Sequence, residues 1–239
     1  MTVTAKRQTS RFAATSESAV AGERMVCDVR GAIYLPEAQL LAVSDLHLEK
    51  GSRQARRGYM LPPYDTGATL EKLAGVIADY EPRIVVSLGD SFDDVGGAAR
   101  MPAIYRDRLL ELMRGRDWIW VAGNHDPEKP ADLPGATVQE LGIGGIVFRH
   151  EPSAGRLSGE IAGHLHPGAR IVQRGRSVRR RCFAADGNRL IMPAFGTFTG
   201  ALNVLDRAFA NLFCPDNLVA YMLGTDRVYP MDRRLLRAD

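Results

Sequence analysis

The sequence predicts an α/β fold in which two packed mixed β-sheets are flanked by helices. Three observations predict it. Up to Gly135, apolar runs of strand length alternate with helical patterns in a βαβαβ rhythm. After Gly135 the helical pattern stops, and short strand-like stretches separated by Gly, Asn and Asp turns take over. No long linker, internal repeat or low-complexity segment intervenes, and 239 residues suffice for one well-filled core.

Residues 1–25 are rich in Ser, Thr, Ala and Arg and lack the apolar stretch of a secretory signal, so they read as a flexible tail before one domain over 26–239. AIYLP and QLLAVSD read as strands, the second ending at Asp45. KGSRQARRGYMLPPYDT reads as a polar, Arg-bearing loop. TGATLEKLAGVIADY places Leu70, Leu73 and Ile77 at helical spacing, with Thr66 as the expected cap. RIVVSLGD and DWIWVAGNHD are near-continuous apolar runs suited to strands buried on both faces. They flank the helical IYRDRLLELMRG. ATVQEL, GGIVFRH, GEIAGH, ARIVQ, RLIMPAF and LVAYML supply the later strands.

Apolar residues are 45% and charged residues 25%, as in ordinary globular proteins, and the net charge of +3 permits an anionic partner without requiring one. Cys27, Cys182 and Cys214 are three dispersed cysteines, which argues against a disulfide framework and for a reducing compartment, the cytoplasm. No apolar run reaches the ~18 residues of a membrane span, so no membrane partner is expected.

The polar clusters fall where strands end, and in open α/β sheets that is where ligands gather. All five histidines lie in such clusters: His47, His125, His150, His164 and His166. Asp45, His47, Asp90, Asn124, His150, His164 and His166 offer two carboxylates, one amide oxygen and four imidazoles. That is too many donors for one tetrahedral ion. It suits two divalent ions, and the mixed N/O set without thiolate favours Mn²⁺, Fe²⁺ or Zn²⁺ over Cu⁺ or Ca²⁺. Two ions ~3.5–4 Å apart are the device for in-line displacement at phosphorus, sharing a water that becomes hydroxide near neutral pH. Protonating the leaving oxygen then falls to a histidine that is not a ligand.

As a set, D-x-H (Asp45, His47), GD-x-x-D (Gly89, Asp90, Asp93), GNHD (Gly123 to Asp126), a lone His150 and GHLH (Gly163 to His166) resemble the calcineurin-like metallophosphoesterases. The flanking SDLHLEKG, RRGYMLPPYDT-x-x-TL, GHLHP and MPAFGTFTGALNV look like the ligase-associated DNA damage response endonucleases. The resemblance implies a manganese-dependent enzyme that nicks single-stranded DNA in repair, with a helicase or ligase among its associates. It implies Asp45, His47 and His166 on one ion, Asn124, His150 and His164 on the other, and Asp90 bridging. It implies His125 as proton donor to the leaving group, held protonated by Asp93, although Asp94 beside it offers a second carboxylate. On an extended strand end, residues two apart point the same way, so His164 and His166 are expected to reach the cluster together with Leu165 turned into packing.

The arginines divide less clearly. Arg53, Arg56 and Arg57 follow the first metal motif and are candidates for the rim. ARIVQRGRSVRRR, with Arg179, Arg180 and Arg181, is either a track for a phosphodiester backbone or a solvated hairpin. Phe195 and Phe198 are either base-stacking or core residues, and Trp118 and Trp120 read as packing. MPAFGTFTG has the small residues that let backbone approach the cluster closely. Three functions compete: a single-stranded DNA endonuclease, a phosphatase or phosphodiesterase on a small nucleotide, and a metal-free scaffold. Short gaps between motifs leave no room for a cap domain, which favours a polymer over a small molecule. The complete ligand set opposes the scaffold.

Overall fold

The computed structural model describes residues 15–59, 64–127, 130 and 132–239. The first sheet runs β1 (Thr15–Val20), β2 (Glu23–Asp28), β3 (Ile33–Leu35), β4 (Leu40–Val43), β5 (Ile84–Leu88), β6 (Asp117–Val121) and β7 (Ala136–Val138), in that spatial order. Strands β1 to β4 pair antiparallel, and β4 to β7 pair parallel. Helices α1 (Lys50–Arg56), α2 (Asp65–Tyr80), the single turn α3 (Gly97–Arg100) and α4 (Ala103–Met113) fill the crossovers.

The second sheet is built from β8 (Glu140–Ile143), β9 (Ile146–Arg149), β10 (Glu160–Ala162), β11 (Pro167–Gln173), β12 (Arg176–Ala185), β13 (Arg189–Ile191), β14 (Leu202–Asn203), β15 (Val219–Leu223) and β16 (Val228–Asp232). Its order is β14-β11-β12-β13-β10-β9-β8, with β15 pairing β12 and β16. Within it, β9, β10 and β13 are mutually parallel.

Strand alternation explains the apolar runs. On β4, Leu41 and Val43 pack under the helices, while Leu40 and Ala42 face the second sheet. Phe148, Ile161, Phe183 and Leu190 meet them from the other side. Each fully buried aliphatic or Phe side chain contributes about 1.5–3 kcal/mol, so both faces of the central strands must be apolar. Cys182, Ala184 and Ile191 point to the outer face of the second sheet, where Phe209, Leu212 and Phe213 cover them. Trp118 and Trp120 are packing residues as expected, both in the core under the helices.

Several expectations are corrected. Residues 1–14 of the expected tail lie outside the described residues, but Thr15–Val20 form β1, paired with β2. Ala21 and Gly22 both have positive φ (51° and 86°), the twist a two-residue hairpin needs. The polar sequence of β1 hid it because an edge strand buries little. Likewise KGSRQAR is the helix α1, missed because only Gly51 of it is buried. Met60 to Pro63 of the expected loop lie outside the described residues. Helix α2 starts at Asp65, and Thr66 lies inside it rather than capping it. Among the described residues, no helix is long and apolar enough to cross a membrane.

The topology positions the site. Parallel strands β4, β5 and β6 end in Asp45/His47, Asp90/Asp93 and Asn124/His125. Parallel strands β9, β10 and β13 end in His150, His164/His166 and the MPAFGTF segment. The carboxyl ends of these six strands converge.

Candidate metal centre

Asp45 is fully buried. Its Oδ2 accepts hydrogen bonds from Ser44 Oγ (2.5 Å) and the His164 amide (3.1 Å). Its Oδ1 is buried without a hydrogen bond, 3.0 Å from His166 Nε2. An anionic oxygen left unpaired in the interior is costly, and its position among ring nitrogens fits a cation. His47 Nδ1 donates to Asp93 Oδ1 at 2.9 Å, which leaves Nε2 bare and 3.4 Å from His166 Nε2. His150 Nδ1 donates to the Leu88 carbonyl at 3.1 Å. A carbonyl can only accept, so a proton sits on Nδ1 and Nε2 is the nitrogen that faces inward. It lies 2.9 Å from Asn124 Oδ1, 3.4 Å from Asp90 Oδ1 and 3.3 Å from His164 Nδ1. Such outer hydrogen bonds orient imidazoles for metal binding.

Among the described residues, three groups have their ligand atoms within 4.8 Å of one another: Asp45/His47/His166, Asp90/His150/His164, and His47/Asp93/His125, the last sharing His47 with the first. Asn124 joins the second group through His164 Nδ1, 3.0 Å from its Oδ1. Asp90 stands between the first two groups, with Oδ2 3.9 Å from His47 Nε2 and Oδ1 beside His150. The electrostatics agree. Burial opposes charge on His150, yet the Asp90 contact and the Asp45 charge raise its pKa to about 9. Burial also opposes charge on Asp90, but the His150 contact holds it down at about 2. The carboxylates that favour a proton on His150 would equally favour a divalent ion in its place.

The backbone is bent to make this possible. Asp45, His47, Asp90, His164 and His166 all have positive φ, between 44° and 67°. For residues other than glycine this costs about 1–2 kcal/mol each, and such strain collects at functional sites. The expectation that GHLH ends an extended strand is therefore corrected: His164 and His166 converge through left-handed turns. Leu165 packs against the outer core as expected. A Cβ on Gly163 would lie 1.9 Å from Ser44 Oγ, so that motif glycine is fixed by crowding, as are Gly89 and Gly123.

His125 stands on the His47 side of the site, its ring edge-on to that of His47 with centroids 5.2 Å apart. Its amide donates to Asp90 Oδ1 at 2.9 Å, and its Nδ1 donates to the Asp93 carbonyl at 2.8 Å. Its Nε2 points into the cleft, 4.0 Å from Asp90 Oδ2. The expected carboxylate contact between Asp93 and His125 is corrected: the link is the Asp93 main chain. The Asp93 carboxylate holds His47 and takes Arg53 Nη1 at 2.8 Å, with Lys50 Nζ 3.6 Å away. Against the opposing effect of burial, these partners hold Asp93 well below the usual carboxylate range. Asp94 pairs with Arg100 instead.

The MPAFGTF segment straps the first group. Phe195 N donates to Ser44 O (2.7 Å) and Gly196 N to Asp45 O (3.0 Å). A Cβ on Gly196 would lie 2.4 Å from the Leu46 carbonyl, so only glycine allows the approach. Arg181 Nη1 binds the Ala194 and Gly196 carbonyls at 2.9 and 3.0 Å, and Lys72 Nζ binds the Phe195 carbonyl over its ring. Burial, aided by Arg181, pushes Lys72 down to about 7. Thr66 Oγ1 accepts from Glu49 N, Asp65 Oδ2 from Gly51 N, and Thr197 Oγ1 donates to Asp65 O. Sequence reasoning missed these roles of Ser44, Asp65, Thr66 and Lys72. The signal was YDT-x-x-TL standing at the start of α2, opposite MPAFGTF.

The arginines do not form one patch. Arg53 is tied to Asp93, whereas Arg56 and Arg57 are exposed at the end of α1. Arg181 is occupied by the strap. Arg180 faces the other way, lining a shallow groove with Met222, Tyr229 and Met231. Arg179 is exposed on the same face as Arg181. Phe195 is core, while Phe198 remains 43% exposed.

Residues 38–189 match the family model for calcineurin-like phosphoesterases. The fold is similar to the crystal structure of nuclease MPE from Pseudomonas putida, with 27% identity and a TM-score of 0.69 over 91% of this chain and 100% of that one. It also matches the phosphoesterase Yfce from E. coli, at 15% identity and a TM-score of 0.39 over 81% of this chain and 98% of that one. No curated protein sequence matches.

Proposed function

Because the chain belongs to the calcineurin-like phosphoesterase family and is thereby a metal-dependent phosphoesterase, we propose that it is an endonuclease cutting single-stranded DNA, acting in DNA repair. The observation that carries the reading is the pair of donor groups joined by Asp90, with one histidine, His125, left facing them. Asp45, His47 and His166 would hold one ion, Asn124, His150 and His164 the other, and Asp90 both. When bound, the ions would supply a water acidified to near-neutral pKa and positive charge for the phosphate oxygens.

The protein supplies the rest. His125 gives the Nε2 proton to the leaving oxygen, its ring fixed by the Nδ1 bond to the Asp93 carbonyl. Asp93 acts through His47, keeping its Nε2 directed inward. Exposed Arg56 and Arg57, at the end of the helix that follows His47, would meet the backbone, and exposed Phe198 would offer a face for a base. The mixed nitrogen and oxygen donors favour Mn²⁺, with Fe²⁺ or Zn²⁺ as substitutes. Three free cysteines suit the cytoplasm. Likeness to a P. putida nuclease supports a nucleic-acid substrate, and the resemblance to ligase-associated endonucleases supports single-stranded DNA and a helicase or ligase associate.

The test is a circular single-stranded DNA given to chelator-stripped protein with Mn²⁺, Zn²⁺ or Mg²⁺ in turn, beside His125→Ala. Metal-dependent linear fragments from wild type alone are expected, since a circle has no ends. An intact circle together with hydrolysis of a small phosphodiester would move the substrate to small nucleotides.

A further inference from the structure

We propose that Arg170 and Arg179 form a subsite for a backbone phosphate of single-stranded nucleic acid. This rests on the nuclease reading above. Arg170 and Arg179 are direct cross-strand partners on the β11–β12 hairpin. Like charges placed opposite one another destabilise a sheet, so the pair needs acceptors. Arg170 Nε donates to Ser177 Oγ at 2.9 Å and Nη1 to the Ala238 carbonyl at 2.6 Å. Arg179 Nη2 donates to the Ala201 carbonyl at 2.6 Å. Its remaining edge grips the Asp239 carboxylate through two bonds, Nε to Oδ1 at 3.1 Å and Nη2 to Oδ2 at 3.2 Å. A phosphodiester presents the same two-oxygen edge to a guanidinium fork. Asp239 thus stands, half-exposed, where a phosphate fits, its Oδ1 also accepting from Asn203 Nδ2 at 3.2 Å.

The register places this subsite on the substrate side. Phe183 on β12 faces the first sheet and Cys182 faces outward. By the two-residue period, Arg181 and Arg179 share the inner face, while Arg180 and Arg176 share the outer one. The contacts agree: Arg181 reaches the strap beside Asp45, and Arg180 lines the groove behind. Strand β11 begins at Pro167, directly after His166. Arg170 therefore lies about 13 Å of strand from His166. The basic run is split by the sheet, and one side of it is aligned with the cluster.

The experiment compares two double variants that remove equal charge from opposite faces. Binding of fluorescent oligothymidylate is followed against salt in the His125→Ala background, which suppresses cleavage. Arg170→Gln/Arg179→Gln should weaken binding about tenfold and lower the salt slope by about 0.7, the value for one single-strand phosphate contact. Arg176→Gln/Arg180→Gln should leave both unchanged. A matching pattern with oligouridylate supports the subsite equally, because it reads phosphate. Equal losses from both pairs, or no loss from the inner pair, would overturn it. Failure of the parent protein to bind oligonucleotide at all, with a small diester still hydrolysed by wild type, would sink the nuclease reading and this subsite with it.

Discussion

The two halves of the metal centre are held in opposite ways. Asp45 and His47 are buried and locked by backbone: their amides bond to Gly89 and Asp90 carbonyls, and the 195–196 strap closes over Ser44 and Asp45. Asn124 and His164 sit at the rim, partly in solvent, and meet mainly through side chains. The first half is therefore shaped by the fold, and the second is completed by what it binds. The difference suits the proposed reaction: a fixed first position, with His125 edge-on to His47 beside it, and an open side at Asn124 and His164 through which a strand would enter and leave.

Asp90 is where the comparison breaks most completely, because it serves both halves. Asp90→Ala should empty both positions and lower turnover by on the order of 10³-fold or more. Retention of two ions, measured by elemental analysis of the dialysed protein, would remove its bridging role. His125→Ala tests the proton donor, which stands beside the locked half. Turnover should fall about 10²- to 10⁴-fold with metal content close to wild type; loss of an ion would make His125 a ligand. Asp93→Ala tests the locked half. Freed from its carboxylate, His47 should bind its ion about 10- to 100-fold more weakly, with the Asn124 side unaffected. Titration with Mn²⁺ should resolve one weakened and one normal site, and two equally weakened sites would contradict the assignment.

The same comparison separates what could be read in the sequence from what could not. Donors at strand ends were legible because parallel strands advertise themselves as apolar runs and their ends as Gly, Asp, Asn and His. That placed Asp45, His47, Asp90, Asn124, His150, His164 and His166 together without coordinates. Partners defined by backbone were not legible. Nothing in GD-x-x-D distinguishes the Asp93 carboxylate, which holds His47, from its carbonyl, which holds His125. Strand β1 and helix α1 were hidden because neither buries an apolar stripe. The arginine run read as one patch because facing is set by register, and register belongs to the pairing of β11 with β12.

The smallest expected effect tests whether the strap is what locks the first half. Lys72 is buried with a carbonyl and an aromatic ring as its partners, and Arg181 beside it carries the same charge. Lys72→Met keeps the length and apolar stem but releases the Phe195 carbonyl. The strap should loosen, weakening the Asp45/His47/His166 ion by a few-fold, about 1 kcal/mol at most for one hydrogen bond. Lys72→Arg should restore part of it. A second signature comes from the proton. Lys72 is held at about 7 in the fold against 10.5 in the unfolded chain, so between those values the unfolded chain binds the extra proton. Stability therefore rises with pH across that window. In chelated protein, the wild-type denaturation midpoint should climb between pH ~7 and ~10.5 more steeply than that of Lys72→Met. Parallel curves would mean that Lys72 is charged in the fold, held as a cation by the Phe195 carbonyl and ring, and that the strap is pinned by charge rather than by a neutral amine.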